Sequence, residues 1–400
     1  MPSSLFTQFK SEDSIKKKLS LLIRNRNFRR FFIQFVFGIF LLLLFFYVVD
    51  KALNLELGFG HLSSRAGFGL SHTFIIDYNS NDSRWMGYFA GVINTIRVSL
   101  VGIVLATILG IFMGLARLSP NFLINKISTG YVEFIRNTPL LVQIIFWQLL
   151  LLQLPHISKA LTFGGLSVWS NRGIYLPIIS SNENGSLWSL ILLLGLIISL
   201  ILRSRLFKYK EEHVDLFSPN LISFFTFVVI AIISFFALSM KLSFNVPEVN
   251  INQHGTYIQS GGFALTPQFA AILFALVLYT GTFITEIVRG SIQSLPIGQT
   301  EAAMALGLNT YQRITLIILP QALRSIIPPL TNQYLNLTKN SSLSVAIAYP
   351  DLFMVSRTIM NNAGHALPMF VLILITYLTL SLIISLIMNI INRRVTRIGA

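Results

Sequence analysis

A stripe of polar side chains interrupts an apolar stretch at about 322 to 345. Asn332, Asn336 and Lys339 follow an i, i+4, i+7 pattern, which places them on one face of a helix. The same stretch holds further hydrogen-bonding side chains: Gln333, Ser341 and Ser342. If this helix crosses a membrane, its polar groups are expensive to bury and are candidates for lining a transport pathway. The alternative is contact with another helix, with Lys339 reaching the membrane interface or pairing with a carboxylate.

A second stretch, residues 298 to 323, reads GQTEAAMALGLNTYQRITLIILPQAL. It places an acid, small alanines and a glycine between two apolar runs. Pro296 ends the preceding helix, and we expect Thr300 to cap a new one with Glu301 in its first turn. Gly307 is expected to form the turn into a second helix that returns to the membrane.

The first helix of this hairpin has a small apolar face. Ala302, Ala303 and Leu306 form that face, and small side chains allow a groove on another protein to close over the backbone. The residues alone leave two interpretations open. The hairpin is either a docking surface for a second protein or an interfacial helix that lies on lipid.

No signature of catalysis is present in the chain. The sequence has no G-x-x-x-x-G-K-[ST] phosphate loop, no H-E-x-x-H zinc motif and no G-x-S-x-G nucleophile motif. Its six His residues are scattered without the spacing of metal ligands, and it has no Cys. We therefore expect no catalytic residue, no metal site and no cofactor on this polypeptide.

The composition is typical of a polytopic membrane protein. Of the 400 residues, 54% are hydrophobic and 11% are charged, whereas soluble domains have about 25% charged residues. Uncharged runs recur, most of them near the roughly 20 residues that cross a bilayer. They lie at 31 to 49, 98 to 116, 138 to 154, 185 to 202, 216 to 240, 262 to 285 and 366 to 392, with the more polar stretch at 322 to 345 as an eighth. The expected fold is all-α with about eight transmembrane helices.

The basic residues predict an orientation and argue against nucleic acid as a partner. The formal net charge is +15, but eight of the 30 Lys and Arg lie within the first 30 residues, directly before the first apolar run. The positive-inside rule keeps such a segment cytoplasmic. Alternation of eight spans then places both termini and the hairpin in the cytoplasm.

The hairpin resembles the EAA motif of ABC-importer permeases. Its spacing is Glu301-Ala302-Ala303, three residues, Gly307, nine residues, Ile317, one residue and Leu319-Pro320, which matches EAA-x3-G-x9-I-x-LP at each fixed position. Three segments are similar to polar amino-acid permeases of the histidine and glutamine type. They are YVEFIRNTPLLVQIIFWQ at 131 to 148, FITEIVRGSIQSLPIGQTEAA at 283 to 303 and LPQALRSIIPPLTNQYLNLTKNSSLSVAI at 319 to 347.

The resemblance implies roles for these residues and for several partners. Glu301, Ala302, Ala303 and Gly307 would form a coupling helix seated in a separate ATPase that binds ATP and Mg, and Pro320 would mark the re-entry into the membrane. A second permease subunit and a periplasmic amino-acid-binding protein would complete the importer in the lipid of a bacterial inner membrane. The polar stripe would then hydrogen-bond the α-amino and α-carboxylate groups of a passing amino acid.

The resemblance covers about 87 to 153 and 266 to 392, which is the five-span core of type I importer permeases. The segment 1 to 86 would add a basic N-terminus, a first span and an outer loop. Residues 154 to 265 would form an insert of outer loops and a helical pair, and 266 to 400 would hold the second part of the core with the hairpin and a cytoplasmic tail. This enlarged form is similar to the larger permease subunit of general L-amino-acid transporters.

Two rival functions are open to the sequence. An ion-gradient-driven secondary amino-acid transporter often shows inverted repeats and broken helices, and no internal repeat is visible here. A membrane scaffold that only recruits a cytoplasmic partner would leave Asn336 and Lys339 freely replaceable.

Charged and small residues near the spans have local explanations. Glu286 and Glu133 each precede an Arg by three residues, so we expect local ion pairs. Arg97, at the start of the second predicted span, could meet a substrate carboxylate or a binding protein, or be solvated at the outer face. Gly110 and Gly114 form a G-x-x-x-G pattern, which predicts close helix packing.

Overall fold

The computed structural model describes residues 26 to 53, 58 to 181, 183 to 212, 218 to 251 and 257 to 397. These residues are mostly helical. The basic segment before residue 26, on which the predicted orientation depends, lies outside them. The helices are α1 (Arg26–Leu53), α2 (Arg84–Arg117), α3 (Phe122–Arg136), α4 (Leu140–Leu152), α5 (Gly185–Glu212), α6 (Pro219–Ala237), α7 (Pro267–Gln293), α8 (Ile297–Ala305), α9 (Thr310–Gln312), α10 (Leu319–Asn340), α11 (Leu352–Ala363) and α12 (Ala366–Arg397).

Two irregular helical segments flank α10. A π-helical segment, Arg313–Ile318, joins α9 to α10, and a 3-10 segment, Ser341–Ile347, follows α10. Together they make one long span from the hairpin to the opposite side of the membrane.

Six helical segments in the described part of the chain are long and apolar enough to cross a membrane: Arg84–Arg117, Gly185–Phe207, Pro219–Ala237, Pro267–Gln293, Arg313–Ile347 and Ala366–Thr396. The number becomes seven if α3 and α4, which meet at a bend of 103°, form one span. Helix α1 carries a shorter apolar run, Phe32–Leu44. Each of the eight predicted runs therefore overlaps a helix, and the multi-pass helical fold is confirmed.

The bend between α3 and α4 has a local cause. Pro139 precedes α4 in an extended conformation, with φ −57° and ψ 137°, and the residue before a proline is disfavoured in a helix. Gln143 is buried and donates from Nε2 to the carbonyls of Ile135 and Thr138, at 2.9 and 3.0 Å. The end of α3 is thus satisfied by a side chain rather than by the next turn of a continuous helix.

The glycines of the G-x-x-x-G pattern let α2 and α7 approach closely, as predicted. A Cβ atom built on Gly110 would lie 2.5 Å from Cβ of Ile284, and one on Gly114 would lie 2.8 Å from Cβ of Val288. Helix α7 forms much of the buried core, with Ile272, Leu276 and Ile284 fully buried. By contrast, α12 exposes a continuous row of large apolar side chains, as expected of a surface that faces lipid: Leu374, Leu378, Leu382 and Leu386.

Eight short strands lie between α4 and α7, and the sequence patterns did not predict them. They are β1 (Leu161–Phe163), β2 (Ser167–Ser170), β3 (Gly173–Leu176), β4 (Ile178–Ser181), β5 (Leu242–Asn245), β6 (Glu248–Ile251), β7 (Tyr257–Ser260) and β8 (Phe263–Leu265). They form a four-stranded sheet in the order β1-β2-β3-β8 and two antiparallel two-stranded sheets, β4-β5 and β6-β7. The pairing of β3 with β8 is antiparallel, and it joins the loop before α5 to the strand before α7, where Ile174 lies opposite Leu265.

Candidate functional site

The predicted hairpin is present, but its first helix begins earlier than expected. Helix α8 starts at Ile297, and Pro296 is the residue before its first turn. Thr300 therefore lies inside the helix, and its predicted role as the N-terminal cap is wrong. The proline takes that position because its fixed φ, here −58°, suits the start of a helix and no N–H donor is needed there. Glu301 follows on the exposed surface of α8.

Gly307 makes the turn that ends α8, in the left-handed conformation predicted for it. Its φ is +71°, and no heavy atom lies within 4 Å of a Cβ built on it, so the backbone angle alone favours glycine. The N–H of Leu308 donates to the carbonyl of Ala303 at 3.1 Å, and the N–H of Gly307 donates to the carbonyl of Met304 at 2.9 Å. These two bonds form a Schellman motif, which satisfies the last carbonyls of the helix.

The second arm of the hairpin begins with a reciprocal cap. Asn309 Oδ1 accepts from the N–H of Gln312 at 2.9 Å, and Gln312 Oε1 accepts from the N–H of Asn309 at 3.0 Å. This capping box satisfies two donors at the start of α9. The first motif ends at Leu308 and the second begins at Asn309, so hydrogen bonds fix the direction of the connection.

Pro320 lies just after the π-helical segment, inside a long helical run. A proline in that position cannot donate to the carbonyl four residues before it, and its ring crowds that carbonyl. The wider π turn at Arg313–Ile318 absorbs this conflict, and such turns are a usual cause of helix bending. One residue further on, Gln321 Nε2 donates to Gln299 Oε1 of α8 at 3.3 Å and joins the two arms.

The hairpin exposes a larger apolar surface than its alanines suggested. Ala302 is exposed, and the exposed fractions of Met304 and Leu306 are 52% and 78%. Ala303 is only 2% exposed and lies inside the hairpin, where α8 packs against the π-helical segment. Ala303 therefore does not belong to the exposed face that was predicted to include it.

An ion cluster lies where α7 ends near the hairpin. Glu286 pairs with Arg289, whose Nη2 is 2.9 Å from Oε2, as the spacing predicted, and also with Arg117 of α2. The expected pair at Glu133 does not form among the described residues. Its neighbour Arg136 instead lies over the ring of Phe283 at 4.8 Å.

The structure places the members of the polar stripe in different environments. Asn332, Asn336 and Lys339 are exposed on one face of α10, and no side-chain hydrogen bond or ion pair joins Asn336 or Lys339 to another described residue. Gln333 is half-buried. Ser341 is buried, and its hydroxyl donates to the carbonyl of Thr338 at 2.8 Å, so it does not share the exposed face.

Ser342 is half-buried, and its hydroxyl donates to the carbonyl of Lys339 at 2.8 Å. Asn332 lines a cleft of about 330 Å³ between α10 and α12. The facing side chains from α12 include Asn389 and Asn392. The cleft therefore has amides on both walls, which the sequence did not reveal because the two helices are far apart in the chain.

Arg97 is enclosed rather than solvated. Helix α2 starts at Arg84, well before the predicted span, so Arg97 lies within the helix and is 6% exposed. Its guanidinium lies over three rings: Phe74 at 4.4 Å, Phe263 at 5.2 Å and Phe269 at 4.0 Å. These cation–π contacts join the loop before α2, strand β8 and α7.

Arg97 also contacts a histidine. Its Nη1 lies 2.7 Å from His72 Nε2, which must accept this bond and is therefore neutral at that nitrogen. Burial, and then the charge of Arg97, lower the pKa of His72 below its ordinary value. The Nη2 of Arg97 has no partner among the described residues.

Asp351 is a buried acid that the sequence patterns did not single out. It caps α11, accepting from the N–H of Met354 at 2.8 Å, and the hydroxyl of Tyr377 lies 3.5 Å from its other oxygen. Burial raises the pKa of Asp351 to about 7, against the opposing effect of these hydrogen bonds. An Asp before an apolar helix is a recognisable cap signal, but nothing local predicts its burial. Among the described residues, no group of three or more His, Cys, Asp or Glu could hold a metal.

A protein-family model described as the binding-protein-dependent transport system inner membrane component matches residues 195–397. The match begins in α5, ends in α12 and contains the whole hairpin, for which the EAA spacing is characteristic. The chain belongs to this family. It is an ABC-transporter permease, and so a multi-pass transport component rather than an enzyme.

Relatives of this permease match along most of its length. The amino-acid ABC transporter permease protein YhdX of Escherichia coli is 39% identical over 84% of this chain and 85% of its own. The general L-amino acid transport system permease protein AapQ of Rhizobium johnstonii is 38% identical over 85% of this chain and 84% of its own. The glutamate/glutamine/aspartate/asparagine transport system permease protein BztB of Rhodobacter capsulatus is 36% identical over 94% of this chain and 96% of its own.

Proposed function

We propose that this permease carries L-amino acids into the cell as one subunit of an ATP-driven importer. The names of its relatives supply the substrate class, and the geometry of the hairpin supplies the coupling mechanism. ATP and Mg are bound by a separate ATPase, to which the hairpin connects the membrane helices. A second permease subunit and a periplasmic binding protein that delivers the amino acid complete the complex.

The observation that carries the proposal is the exposed, rigid end of the hairpin. Glu301, Ala302, Met304 and Leu306 project from α8 without being covered by the described chain. Exposed apolar side chains that lie together on one helix mark a protein or membrane contact surface. An ATPase groove that receives them is the occupant that the EAA spacing of this family supports.

The hydrogen bonds of the hairpin explain how it would transmit motion. The Schellman turn at Gly307, the capping box at Asn309 and the bond between Gln321 and Gln299 hold its two arms together. A displacement of α8 by the ATPase is therefore passed to α10 as a unit. The π-helical segment before Pro320 is the irregular joint at which the direction of the helix changes.

The exposed stripe on α10 supplies the proposed pathway. Asn332, Asn336 and Lys339 lie exposed on the helix that the hairpin moves, and Asn332 also lines the cleft toward α12. A second permease subunit facing this surface would enclose a polar route between the two chains. Amide and ammonium groups there can hydrogen-bond the carboxylate and amino groups of the passing amino acid.

The organisation proposed from the sequence also gains support from the strands. Residues 154 to 265 would be an insert in a five-span core, and the pairing of β3 with β8 joins the first outer loop of that segment to its last residues. Such an insert leaves the core helices in their order. With the basic N-terminus and the hairpin both cytoplasmic, the strands and α11 would face the periplasm and the binding protein.

Reconstitution tests the proposal. The permease pair and ATPase are placed in liposomes, and ATP hydrolysis and uptake of labelled L-amino acids are measured with and without loaded binding protein. We expect loaded binding protein to stimulate both. Gly307→Asp introduces a charge and backbone strain at the docking surface, and we expect it to abolish stimulation and weaken ATPase recruitment.

Gly364 offers a matched control for Gly307. It also has a positive φ, +72°, and open space around it, but it ends α11 on the other side of the membrane from the hairpin. Gly364→Asp should therefore impose similar strain and leave ATPase recruitment intact. Recruitment that is equally weakened by both variants, or unaffected by Gly307→Asp and by Leu306→Glu, would contradict the coupling role.

The rival function is an ion-gradient-driven secondary transporter. Uptake that follows a proton or sodium gradient and persists without the ATPase would support it. The same liposomes without ATPase provide this measurement, and we expect no uptake above that of protein-free liposomes.

A further inference from the structure

A groove between α5 and α12 combines two cations with an aliphatic wall. It has a volume of about 380 Å³, and Arg205 of α5 and Arg394 of α12 line it. The side chains of Ile197, Leu200 and Ile201 line its remaining side. The proposed transport mechanism uses none of these residues.

The two arginines lack partners within the part of the chain whose side chains are described. The salt bridges found there all involve Glu286. Ser204 also lines the groove, but its hydroxyl donates to the carbonyl of Leu200 at 3.0 Å. The two guanidinium groups are therefore the donors that a ligand would meet, and they call for an anion that accepts bidentate hydrogen bonds, such as a phosphate.

The position of the groove distinguishes a lipid from a free phosphate. The apolar span in α5 ends at Phe207, and the span in α12 ends at Thr396, so both arginines lie at the membrane boundary. Helices α5, α7 and α12 run in the same direction through the alternating spans, which puts this boundary on the same side as the hairpin. The aliphatic wall begins one turn of α5 further into the membrane, where acyl chains would lie.

We propose that this groove binds the phosphate of an anionic phospholipid, which fills the space between the helical pair of the insert and the last helix of the permease core. Arg205 and Arg394 would hold the phosphate, while Ile197 and Ile201 contact an acyl chain. Basic pockets between transmembrane helices bind anionic headgroups in this way. In the described chain, the extensive helix contact of α5 is with α6. The lipid would connect α5 to α12 as well.

Native mass spectrometry of the full-length permease tests this site. The protein is purified in detergent and supplied with phosphatidylglycerol or phosphatidylcholine, and retained lipid is counted as the detergent concentration rises. Two arginines near the membrane surface contribute about 2 kcal/mol to the free energy of binding an anionic lipid. Arg205→Gln with Arg394→Gln should therefore weaken retention of phosphatidylglycerol by about 30-fold. Retention of phosphatidylcholine should be low in every variant.

A charge-matched variant and a groove-filling variant complete the test. Arg203→Gln with Arg393→Gln removes the same charge from the same helices outside the groove, and retention should hold. Ile201→Trp fills the groove and keeps both arginines, so it should also lose lipid, whereas Ile198→Trp, on an exposed residue that does not line the groove, should not.

Four outcomes would overturn the proposal. Equal losses in both arginine pairs would mean general surface electrostatics. Full retention of lipid in the Arg205 and Arg394 variant would show that these arginines do not form the site. Competition by free glycerol phosphate as strong as that by the lipid would show that the groove does not select a lipid. A change of oligomeric state in that variant with no change in lipid binding would assign the groove to a second copy of the chain. Because lipid retention is measured on the permease alone, a failure here leaves the import function untouched.

Discussion

Gly110 of α2 lies so close to Ile284 of α7 that no side chain fits between them. A Cβ on Gly110 would approach Cβ of Ile284 to 2.5 Å and the carbonyl oxygen of Gly281 to 3.1 Å. Helices that associate in lipid depend on such contacts, because the apolar solvent provides no hydrophobic drive. This contact therefore determines how the second span meets the central buried helix.

Replacement of Gly110 should separate these two helices. Gly110→Ala is expected to lower the free energy of unfolding by roughly 1–3 kcal/mol through overpacking, measured by SDS titration in mixed micelles. Gly130 in α3 is the control, because no atom beyond its own stretch of helix lies within 4 Å of its Cβ position. Gly130→Ala should stabilise by about 0.5–1 kcal/mol through helix propensity alone. A Gly110→Ala variant as stable as Gly130→Ala would contradict the close packing.

Asp351 should make stability depend on pH. Its pKa in the folded protein is raised from 3.8 to about 7, so the folded state binds its proton more tightly than the unfolded state does. The stabilising effect is fully present below about pH 4 and is lost as the pH rises through about 7. Above that pH the contribution of Asp351 no longer changes.

Asp351→Asn isolates this effect, because Asn can still cap α11. The free energy of unfolding of the wild type, minus that of the variant, should fall between about pH 4 and pH 7 and then stay level. The subtraction removes the titration of His72 and other groups that both proteins share. A difference that is constant across this range would show that Asp351 has an ordinary pKa.

The stabilising effect of Arg97 should depend on its planar guanidinium. Arg97→Lys keeps the charge but loses the flat surface that lies over three aromatic rings and the contact with His72. We expect a loss of about 1–2 kcal/mol in the free energy of unfolding. Arg357→Lys, at an exposed position on α11, should change it by less than about 0.5 kcal/mol. Unchanged stability with lost uptake would instead assign Arg97 to the substrate carboxylate.

Replacement of Asn336 tests whether the polar stripe lines a transport pathway or forms a contact between helices. Asn336→Leu should reduce amino-acid uptake by about tenfold or more, since an unpaired substrate group costs on the order of 1–3 kcal/mol, while the permease pair still assembles with the ATPase. Size-exclusion chromatography checks assembly, and proteoliposome uptake checks transport. Asn220→Leu, on an exposed residue of α6, is the control and should change neither. Loss of assembly in Asn336→Leu would make the stripe an interface between helices.

Local sequence determined the hairpin and the spans of this protein. The left-handed turn at Gly307 needs only a residue that accepts a positive φ, and the helices follow from apolar runs that match the thickness of a bilayer. The EAA spacing lies within one short segment, so the order of residues in that segment is enough to indicate the family. The cap at Pro296 instead of Thr300 was missed because both residues are compatible with a helix start.

Tertiary structure alone decided which distant residues meet. Arg117 and Glu286 are 169 residues apart. The three aromatic rings around Arg97 come from a loop, a strand and another helix. The short strands of the insert have too few residues for a clear alternating pattern, so their pairing depends on partners elsewhere in the chain. Backbone rules act over a few residues, whereas burial, ion pairs and pKa values depend on how the helices pack, and no local pattern encodes that packing.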